Sequence, residues 1–453
     1  AYEWLHVRHY VILIRHHGLP RGIVPGSPVL SPVWTCRIAQ SWSGQGTRRD
    51  TQHRLVDFGR RGRRSRLGMM NMVRWLAQGP AARYGIACDS CDDQVCVAPA
   101  KESSLVKVTF RRVRLKKIFP LRISRGVSAG SENLFAFVEQ DGLVGVGELS
   151  GTNVPGGENC DTGLAELGEL VASGLAGLSV HEVYARGREM GVRPRALAAL
   201  DVALWDLLAK QAGLPLYRML GLPLPTVPTS VTIGIETPEV VRERVPIILR
   251  TSGAKHLKIK LGSPEGLDAD QGMFEMVREV AAPFGVSLRV DANGGWDLAG
   301  ATMMCRYLAD CGVDYVEQPL PQGTEADLAP LFADRPLPIY VDESCNYASD
   351  VPALADRVDG VNLKLMKCGG VTEALRIVAA ARAHGLGTMI GCMGETNVAI
   401  SAGAALGALF DHIDLDSQLN LANDPTVGAP LLDGVVIPTE DPGHGARFAD
   451  ADA

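Results

Sequence analysis

The sequence predicts an α/β protein whose larger part is a (β/α)8-type barrel, preceded by an α+β capping domain. From residue 228 onward, short β-rich runs recur about every 25 residues, and segments rich in Ala, Leu and Arg at helical spacing separate them. Eight such units are the number that closes a barrel. The predicted strands are Thr229 to Ile235, His256 to Leu261, Ser287 to Val290, Tyr315 to Glu317, Ile339 to Val341, Gly360 to Leu365, Thr388 to Ile390 and His412 to Leu415.

The chain before the barrel has a different pattern. Strand-like Leu105 to Val113 and Leu134 to Val138 are followed by a Gly-rich turn and by helical segments such as Arg195 to Ala212. The Pro-rich stretch Leu222 to Pro228 is a natural hinge. We therefore predict a capping domain at 105–222, a catalytic barrel at 223–417 and a C-terminal segment, 418–453, that packs back on the capping domain.

The first hundred residues differ again, with 14 Arg, no Lys and 6 acidic residues in a chain of net charge -6. The run Arg60 to Arg66 (RRGRRSR) could bind phosphate backbones. However, no helical or strand period persists, and Pro, Gly and Ser interrupt the stretch. We therefore predict a disordered or non-native leader over residues 1–104. One hypothesis is translated sequence upstream of a true start at Met69, Met70 or Met72.

Composition excludes some classes of protein. At 453 residues and 46% hydrophobic side chains the chain can bury a large core, and it has no run of ~20 apolar residues that would span a bilayer. The absence of a secretion-signal pattern predicts a cytoplasmic location, where the ten cysteines would be reduced. Cys88, Cys91 and Cys96 have one metal-like spacing but no second ligand pair nearby, so we interpret them as incidental.

Three carboxylates end successive predicted strands of the barrel. Asp291, Glu317 and Asp342 follow one another by 26 and 25 residues, which predicts the same height on neighbouring strands. Chemistry in such barrels gathers at these strand ends. Three converging carboxylates repel one another unless a cation neutralises them, and an all-oxygen set suits Mg²⁺. The sequence therefore predicts a magnesium site.

Lysines stand on either side of these carboxylates. Lys258 and Lys260 are two apart on the second strand, so they share a face, with Lys260 nearer the carboxyl end. Lys364 ends the sixth strand, almost across the barrel, whereas Lys367 falls in the following turn. An ammonium near a metal ion and another lysine has a lowered pKa, which suits a general base. We expect Lys260 and Lys364 to be catalytic, and Lys258 to pair with a carboxylate or contact substrate.

These residues resemble the enolase superfamily, in which a Lys or His base works with Mg²⁺. Two further patterns agree, RALAALDVALWD from Arg195 and KLMKCGG from Lys364, and the resemblance covers roughly residues 105 to 450. Lysine on both the second and sixth strands is similar to the muconate lactonizing enzyme subgroup, since no His ends the seventh strand. The resemblance implies that Asp291, Glu317 and Asp342 bind Mg²⁺ and that the two catalytic lysines serve opposite faces of an enolate, giving 1,1-proton transfer.

Three further segments bear on the substrate. Asp414-Leu-Asp416 on the eighth strand resembles the motif by which dipeptide epimerases hold a free α-ammonium. Glu395, after the seventh strand, would line the pocket or accept bonds from neighbouring backbone. Arg125, in a segment that resembles the mobile loop over the substrate, would pair with a distal carboxylate or remain a surface residue. The polar run from Ser417 departs from the expected apolar pattern.

We therefore expect a Mg²⁺-dependent isomerase that epimerises a dipeptide, with no membrane role; homo-oligomerisation is left open. The nearest alternatives keep the same metal site and lysines: o-succinylbenzoate synthase, N-acylamino acid racemase and muconate cycloisomerase. Their substrates lack the free ammonium that Asp414 and Asp416 would hold. An alternative of another class is a nucleic-acid-binding protein that uses the Arg-rich leader.

Overall fold

The structure, a computed structural model, describes residues 106–152 and 156–449, together with the backbone of five short strands nearer the N-terminus. Those strands belong to a separate unit, Ala1–Glu102. The predicted disordered or non-native leader and its basic run otherwise lie outside the described residues, and both remain predictions. The five strands form a three-stranded and a two-stranded antiparallel sheet: Tyr2–Val7, Tyr10–His16 and Trp34–Gln40, then Ile86–Ala87 and Cys96–Val97.

The second unit begins with a three-stranded antiparallel sheet covered by helices. Asp141 and Gly142 form the tight turn between two of its strands with φ of 53° and 78°, the left-handed values that such hairpin turns need. The longest helix packs on this sheet over Gly147, where an added Cβ would lie 2.0 Å from the carbonyl oxygen of Ala199. The elements are strands Lys107–Ile123, Gly126–Gln140 and Leu143–Ser150, and helices Cys160–Ala172, Val180–Glu189, Pro194–Ala212 and Leu216–Met219.

The first long strand carries a β-bulge, because its register with the second strand shifts between Lys116 and Leu121. The residues that leave the sheet pair instead with the chain that follows the barrel. Lys117 forms an antiparallel bridge with Leu421. The backbone N–H of Phe119 donates to Asn420 Oδ1, and Asn420 Nδ2 donates to the carbonyl of Phe119, each at 2.8 Å. The bulge therefore joins two segments about 300 residues apart in sequence.

Eight parallel strands form the barrel, in sequence order around the sheet, and a parallel bridge between Thr229 and Ile413 closes it. The predicted fold class is confirmed, and each predicted strand corresponds to an observed one. Their side chains and those of the surrounding helices form the largest apolar core. The strands are Ser230–Ile233, His256–Lys260, Ser287–Asp291, Val316–Glu317, Ile339–Val341, Gly360–Lys364, Gly387–Gly391 and His412–Asp414.

Helices connect the barrel strands, but the eighth strand is followed by a 3₁₀ turn, Ser417–Asn420, so the prediction of an eighth strand–helix unit is wrong. None of the helices in the described part of the chain has the length and apolar character to cross a bilayer. The α-helices are Pro238–Ser252, Leu267–Ala281, Leu298–Asp310, Leu328–Ala333, Val351–Leu354, Leu365–Cys368, Val371–Ala383 and Asn397–Ala405; further 3₁₀ turns are Ala282–Phe284, Glu325–Asp327 and Gly407–Leu409.

After the 3₁₀ turn the chain returns to the cap sheet. The backbone N–H of His444 donates to Asp206 Oδ1 at 2.8 Å, and the ring of Phe448 packs on Phe135 with centroids 5.0 Å apart. Two short strand pairs occur here, Thr426–Val427 with Arg447–Phe448 and Leu431–Leu432 with Val435–Val436. The exact domain boundaries remain predictions.

Candidate active site

A cavity of about 1440 Å³ opens at the carboxyl ends of the barrel strands, between these ends and the bulged segment of the cap. Two of the predicted carboxylates, Asp291 and Glu317, are fully buried and do not line it. Lys258 and Glu395, two of the predicted substrate contacts, do not line it either. The predicted site residues that do are Lys260, Asp342, Lys364, Asp414, Asp416 and Arg125.

The three predicted metal carboxylates stand on neighbouring strands. Asp291 is paired in register with Glu317, as the spacing predicts. Glu317 is paired with Tyr340, so Asp342 stands two residues further along its strand. The prediction of equal height is therefore right for the first two and wrong for Asp342, because barrel strands are tilted and staggered.

Lysines and amides hold Asp291 and Glu317 in place. Asp291 Oδ2 accepts from Lys260 Nζ at 2.5 Å, and its Oδ1 accepts from the backbone N–H of Asn293 at 2.8 Å. Asn293 has a φ of 46°, a left-handed conformation that Asn tolerates better than most residues. Glu317 accepts from Lys258 Nζ at 3.2 Å and from Asn362 Nδ2 at 2.7 Å. Both carboxylates are thus oriented by barrel residues alone.

Asp342 lies between two lysines. Lys364 Nζ donates to its Oδ2 at 2.8 Å, and Lys367 Nζ lies 2.5 Å from its Oδ1. Lys367 also donates to the carbonyl oxygens of Asp342, Cys345 and Asn362. Sequence reasoning gave Lys367 no role, although its position one helical turn after Lys364 was a usable signal. It fixes the loop that carries Asp342.

The electrostatics follow from this packing. Burial, and then the neighbouring Asp291, raise the pKa of Glu317 to about 7. Against the effect of burial, the two adjacent lysines hold the pKa of Asp342 well below its usual range. Burial alone would lower the pKa of Lys364, but the carboxylates of Asp342 and Glu317 outweigh it and raise that pKa. Lys364 lies beside a carboxylate, which favours its charged form; the predicted lowering of its pKa depends on a bound metal ion and stays a prediction.

Lys258 is an ion-pairing residue in this structure. Its side chain is 1% exposed, and its Nζ donates to Asp414 Oδ2 and to Glu317 Oε2. Although burial lowers it, the pKa of Lys258 is raised well above its ordinary value by Asp414, Glu317 and Asp291. Lys258 thus forms the predicted ion pair and does not line the cavity; its predicted contact with substrate stays a prediction.

Asp414 and Asp416 form an acidic end of the cavity. Asp416 Oδ2 accepts from the backbone N–H of Thr232 at 2.7 Å, and Cys392 Sγ donates to Oδ1 at 3.6 Å. Burial and the charge of Asp414 raise the pKa of Asp416. Asp414 Oδ1 is buried and has no hydrogen-bond partner among the described residues. The carboxylate oxygens of Asp414 and Asp416 can therefore accept hydrogen bonds from a cationic group of a ligand.

Arg125 reaches the strand ends from the cap. It donates to the carbonyl of Asn293 at 2.8 Å and to Glu343 Oε1 at 2.5 Å, with 53% of its side chain exposed. Ser124 Oγ donates to the same carbonyl at 3.0 Å. The guanidinium thus lies at the cavity with a protein carboxylate as its partner.

Glu395 is buried behind the cavity and accepts from the backbone N–H of Met393 at 2.8 Å. Glu395 thus accepts a hydrogen bond from neighbouring backbone, one of its two predicted roles, and it is not among the residues that line the cavity. Burial and the nearby Glu148 raise its pKa to about 8. Glu148, which the sequence analysis missed, reaches across from the cap sheet and accepts from Thr396 Oγ1 at 2.7 Å and from Asn133 Nδ2 at 2.6 Å.

The chemistry of Asp291, Glu317 and Asp342 fits a divalent cation. They offer only oxygen donors, they are buried, and repulsion from Asp291 and Asp342 contributes to the raised pKa of Glu317. Among the described residues, no three acidic, His or Cys side chains already converge on one ion position. Each of these three carboxylates is instead turned toward a lysine.

Comparison with known sequence families establishes the family to which this chain belongs. Residues 105–221 match the family described as mandelate racemase/muconate lactonizing enzyme, N-terminal domain, and residues 241–452 match the enolase C-terminal domain-like family. The chain belongs to the enolase superfamily. The predicted superfamily is thus confirmed.

Individual relatives confirm the predicted enzyme class, an isomerase similar to dipeptide epimerases. Proteins named hydrophobic dipeptide epimerase from Flavobacteria bacterium (strain MS024-2A) and Roseobacter litoralis are 57% and 56% identical, covering 75% and 76% of this chain and 98% and 100% of theirs. A crystal structure of the dipeptide epimerase from Enterococcus faecalis V583, complexed with Mg and L-Leu-L-Tyr, has a TM-score of 0.70 at 32% identity, covering 75% of this chain and 99% of that one. The substrate-liganded L-Ala-D/L-Glu epimerase from Bacillus subtilis gives 0.71 at 28% identity, over 76% and 98%.

Proposed function

We propose that this protein epimerises dipeptides by Mg²⁺-assisted, two-base 1,1-proton transfer. The observation that supports it most is that Lys260 and Lys364 line one cavity from the second and sixth strands, with carboxylates between them. Relatives more than half identical to this chain are named hydrophobic dipeptide epimerases. Inversion of configuration at a substrate carbon requires two bases, one on each face of that carbon.

Asp291, Glu317 and Asp342 would hold the metal ion. When bound, Mg²⁺ supplies positive charge that orients the substrate carboxylate and offsets the charge that develops as the α proton leaves. Lys260 and Lys364 then no longer balance these carboxylates, and a nearby cation and burial both favour their neutral forms. That change would bring their pKa values toward the range of a general base.

The two lysines act in sequence on the α carbon. One neutral lysine removes the α proton, and the other, as an ammonium, returns a proton to the opposite face. The reverse assignment epimerises the other diastereomer. Lys367 and Lys258 remain paired with Asp342 and Asp414, so they keep the carboxylates in place without taking part in the transfer.

The substrate's free α-ammonium would bind at Asp414 and Asp416. Both line the cavity, and Asp414 Oδ1 has no other partner in the described residues. Apolar side chains, including Phe119, Leu121 and Leu419, also line the cavity. We therefore favour a dipeptide with an apolar side chain, which agrees with the names of the two most similar relatives cited above.

Proton NMR in D₂O tests this proposal. L-Ala-L-Glu, L-Leu-L-Tyr and a small dipeptide panel would be incubated with Mg²⁺ and either wild type or Lys364→Ala. We expect exchange of one α proton and appearance of a second diastereomer with wild type alone. Loss of activity after chelation, restored by Mg²⁺, tests the metal. If no dipeptide exchanges in the wild type, the proposed function is wrong.

N-acylamino acid racemase is the second candidate, because the metal carboxylates and both lysines would serve it equally. Its substrates carry no free ammonium, so Asp414→Asn would leave their turnover unchanged but impair that of dipeptides. No feature of the described residues favours nucleic-acid binding. A cytoplasmic location remains a prediction.

A further inference from the structure

The side chain of Lys117 lines the active-site cavity but forms no hydrogen bond or ion pair within residues 106–152 and 156–449. The other cavity-lining lysines, Lys260, Lys364 and Lys367, are each paired with a carboxylate. Lys117 is partly buried, whereas the preceding Lys116 is exposed. Burying a cation without a partner is unfavourable. A partly buried lysine side chain without such a partner is therefore available to interact with a bound ligand.

The β-bulge determines the direction in which the side chain of Lys117 points. Lys116 donates its backbone N–H to Asn423 Oδ1 at 2.7 Å and accepts from the backbone N–H of Ala422 at 2.8 Å. Two hydrogen bonds link Phe119 to Asn420 on the other side. Bulges next to active sites commonly redirect a side chain in this way. Lys117 is thereby fixed against the chain that follows the eighth strand.

The surroundings of Lys117 define the subsite that it faces. Burial lowers the pKa of Lys117; the thiol of Cys392 and the carboxylate of Asp416 act in the opposite direction, and Lys260 acts in the same one. Lys117 lines the same cavity as Cys392 and Asp416, and its backbone is bridged to Leu421, five residues after Asp416, so Lys117 lies at the acidic end of the cavity. The proposed function puts the substrate's α-ammonium there, so the side chain on that same α carbon must lie near Lys117.

We propose that Lys117 determines the charge preference for the side chain of the dipeptide's first residue, disfavouring basic side chains and favouring acidic ones. This inference rests on the proposed function. Two like charges in a partly buried site repel more strongly than in water, and specificity arises as readily from repulsion of the wrong ligand as from attraction of the right one. A neutral first residue is accepted without either effect.

The test compares kcat/KM for L-Lys-L-Leu, L-Met-L-Leu and L-Glu-L-Leu with Mg²⁺, in wild type, Lys117→Met, Lys117→Glu and the matched control Lys116→Glu. The readout is the ratio of kcat/KM for the Lys-first substrate to that for the Glu-first substrate. We expect this ratio to rise about tenfold in Lys117→Met and about 100-fold in Lys117→Glu, since removal and reversal of one nearby charge act in the same direction. It should stay within about twofold of wild type in Lys116→Glu.

The neutral substrate L-Met-L-Leu separates the outcomes. If every variant turns it over while the ratio stays constant in Lys117→Glu, the inference about Lys117 is wrong and the proposed function stands. An equal rise in Lys116→Glu would also overturn it, because the effect would then be that of net charge. If the wild type epimerises none of the dipeptides, the proposed function and this inference are both wrong.

Discussion

The two sides of the cavity are built in different ways. On the side of the second to sixth strands, the side chains are held by other residues of the barrel; these side chains are Lys260, Asp291, Glu317, Asp342 and Lys364. On the side of the eighth strand, the surroundings of Asp416 depend on cap residues far away in sequence. The barrel alone can therefore fix the proton chemistry, whereas substrate preference depends on how the cap docks.

The largest expected effect falls on the barrel side. Lys364→Met should lower kcat about 10³-fold, because it removes one of two acid–base groups. Lys116→Met, a change on the exposed face of the cap strand, should leave kcat unchanged. Polarimetry on a dipeptide substrate measures both. A Lys364→Met enzyme within tenfold of wild type would remove Lys364 from the proposed mechanism.

The main effect of replacing Lys258 should be a lower free energy of unfolding. Lys258→Met leaves Asp414 and Glu317 buried without their cation, which we expect to lower the free energy of unfolding by about 3 kcal/mol. Urea denaturation measures this change. The double variant Lys258→Met/Asp414→Asn should recover part of the loss. Equal stability of the single variant and wild type would show that the pair does not support the fold.

Asp416→Asn tests the side of the cavity that contacts the cap. Loss of one charge-assisted hydrogen bond to an ammonium should raise KM for dipeptides about 30-fold, with little change in kcat. Asp411→Asn, at the opposite end of the eighth strand, is the matched control and should leave KM unchanged. Steady-state kinetics on one dipeptide separate the two constants. A fall in kcat alone would place Asp416 in catalysis instead.

A further expected effect is a pH dependence at the joint between cap and barrel. Burial raises the pKa of Glu395 from 4.5 to about 8, so its contribution to stability is fully present below pH 4.5 and is lost as pH rises through 8. Between pH 6 and 9 wild type should lose about 2–3 kcal/mol more than Glu395→Gln. The exposed Glu279→Gln should behave as wild type in urea denaturation. Parallel curves for all three proteins would contradict the expectation.

Sequence patterns predicted one side of the cavity far better than the other. The strand periodicity located Lys260, Asp291, Glu317 and Lys364, because a strand end is encoded by a few adjacent residues. The stagger that moves Asp342 was missed, since it depends on the tilt of the whole barrel, and so was the contact of Lys367 with Asp342. Asp414 pairs with Lys258, and Lys117 lines the cavity, because residues on separate elements come together in the fold. No local sequence pattern reveals such contacts.

The bulge also affects the order in which parts of the protein can fold during synthesis. The cap strand with Lys117 is among the first of the described residues to leave a ribosome, yet it pairs with Leu421, which is made about 300 residues later. Contacts of such sequence separation are slow to form, because a long loop has to close first. A nascent chain can thus assemble most of the barrel while its substrate subsite is still open. Selectivity would be the last property that the newly made enzyme acquires.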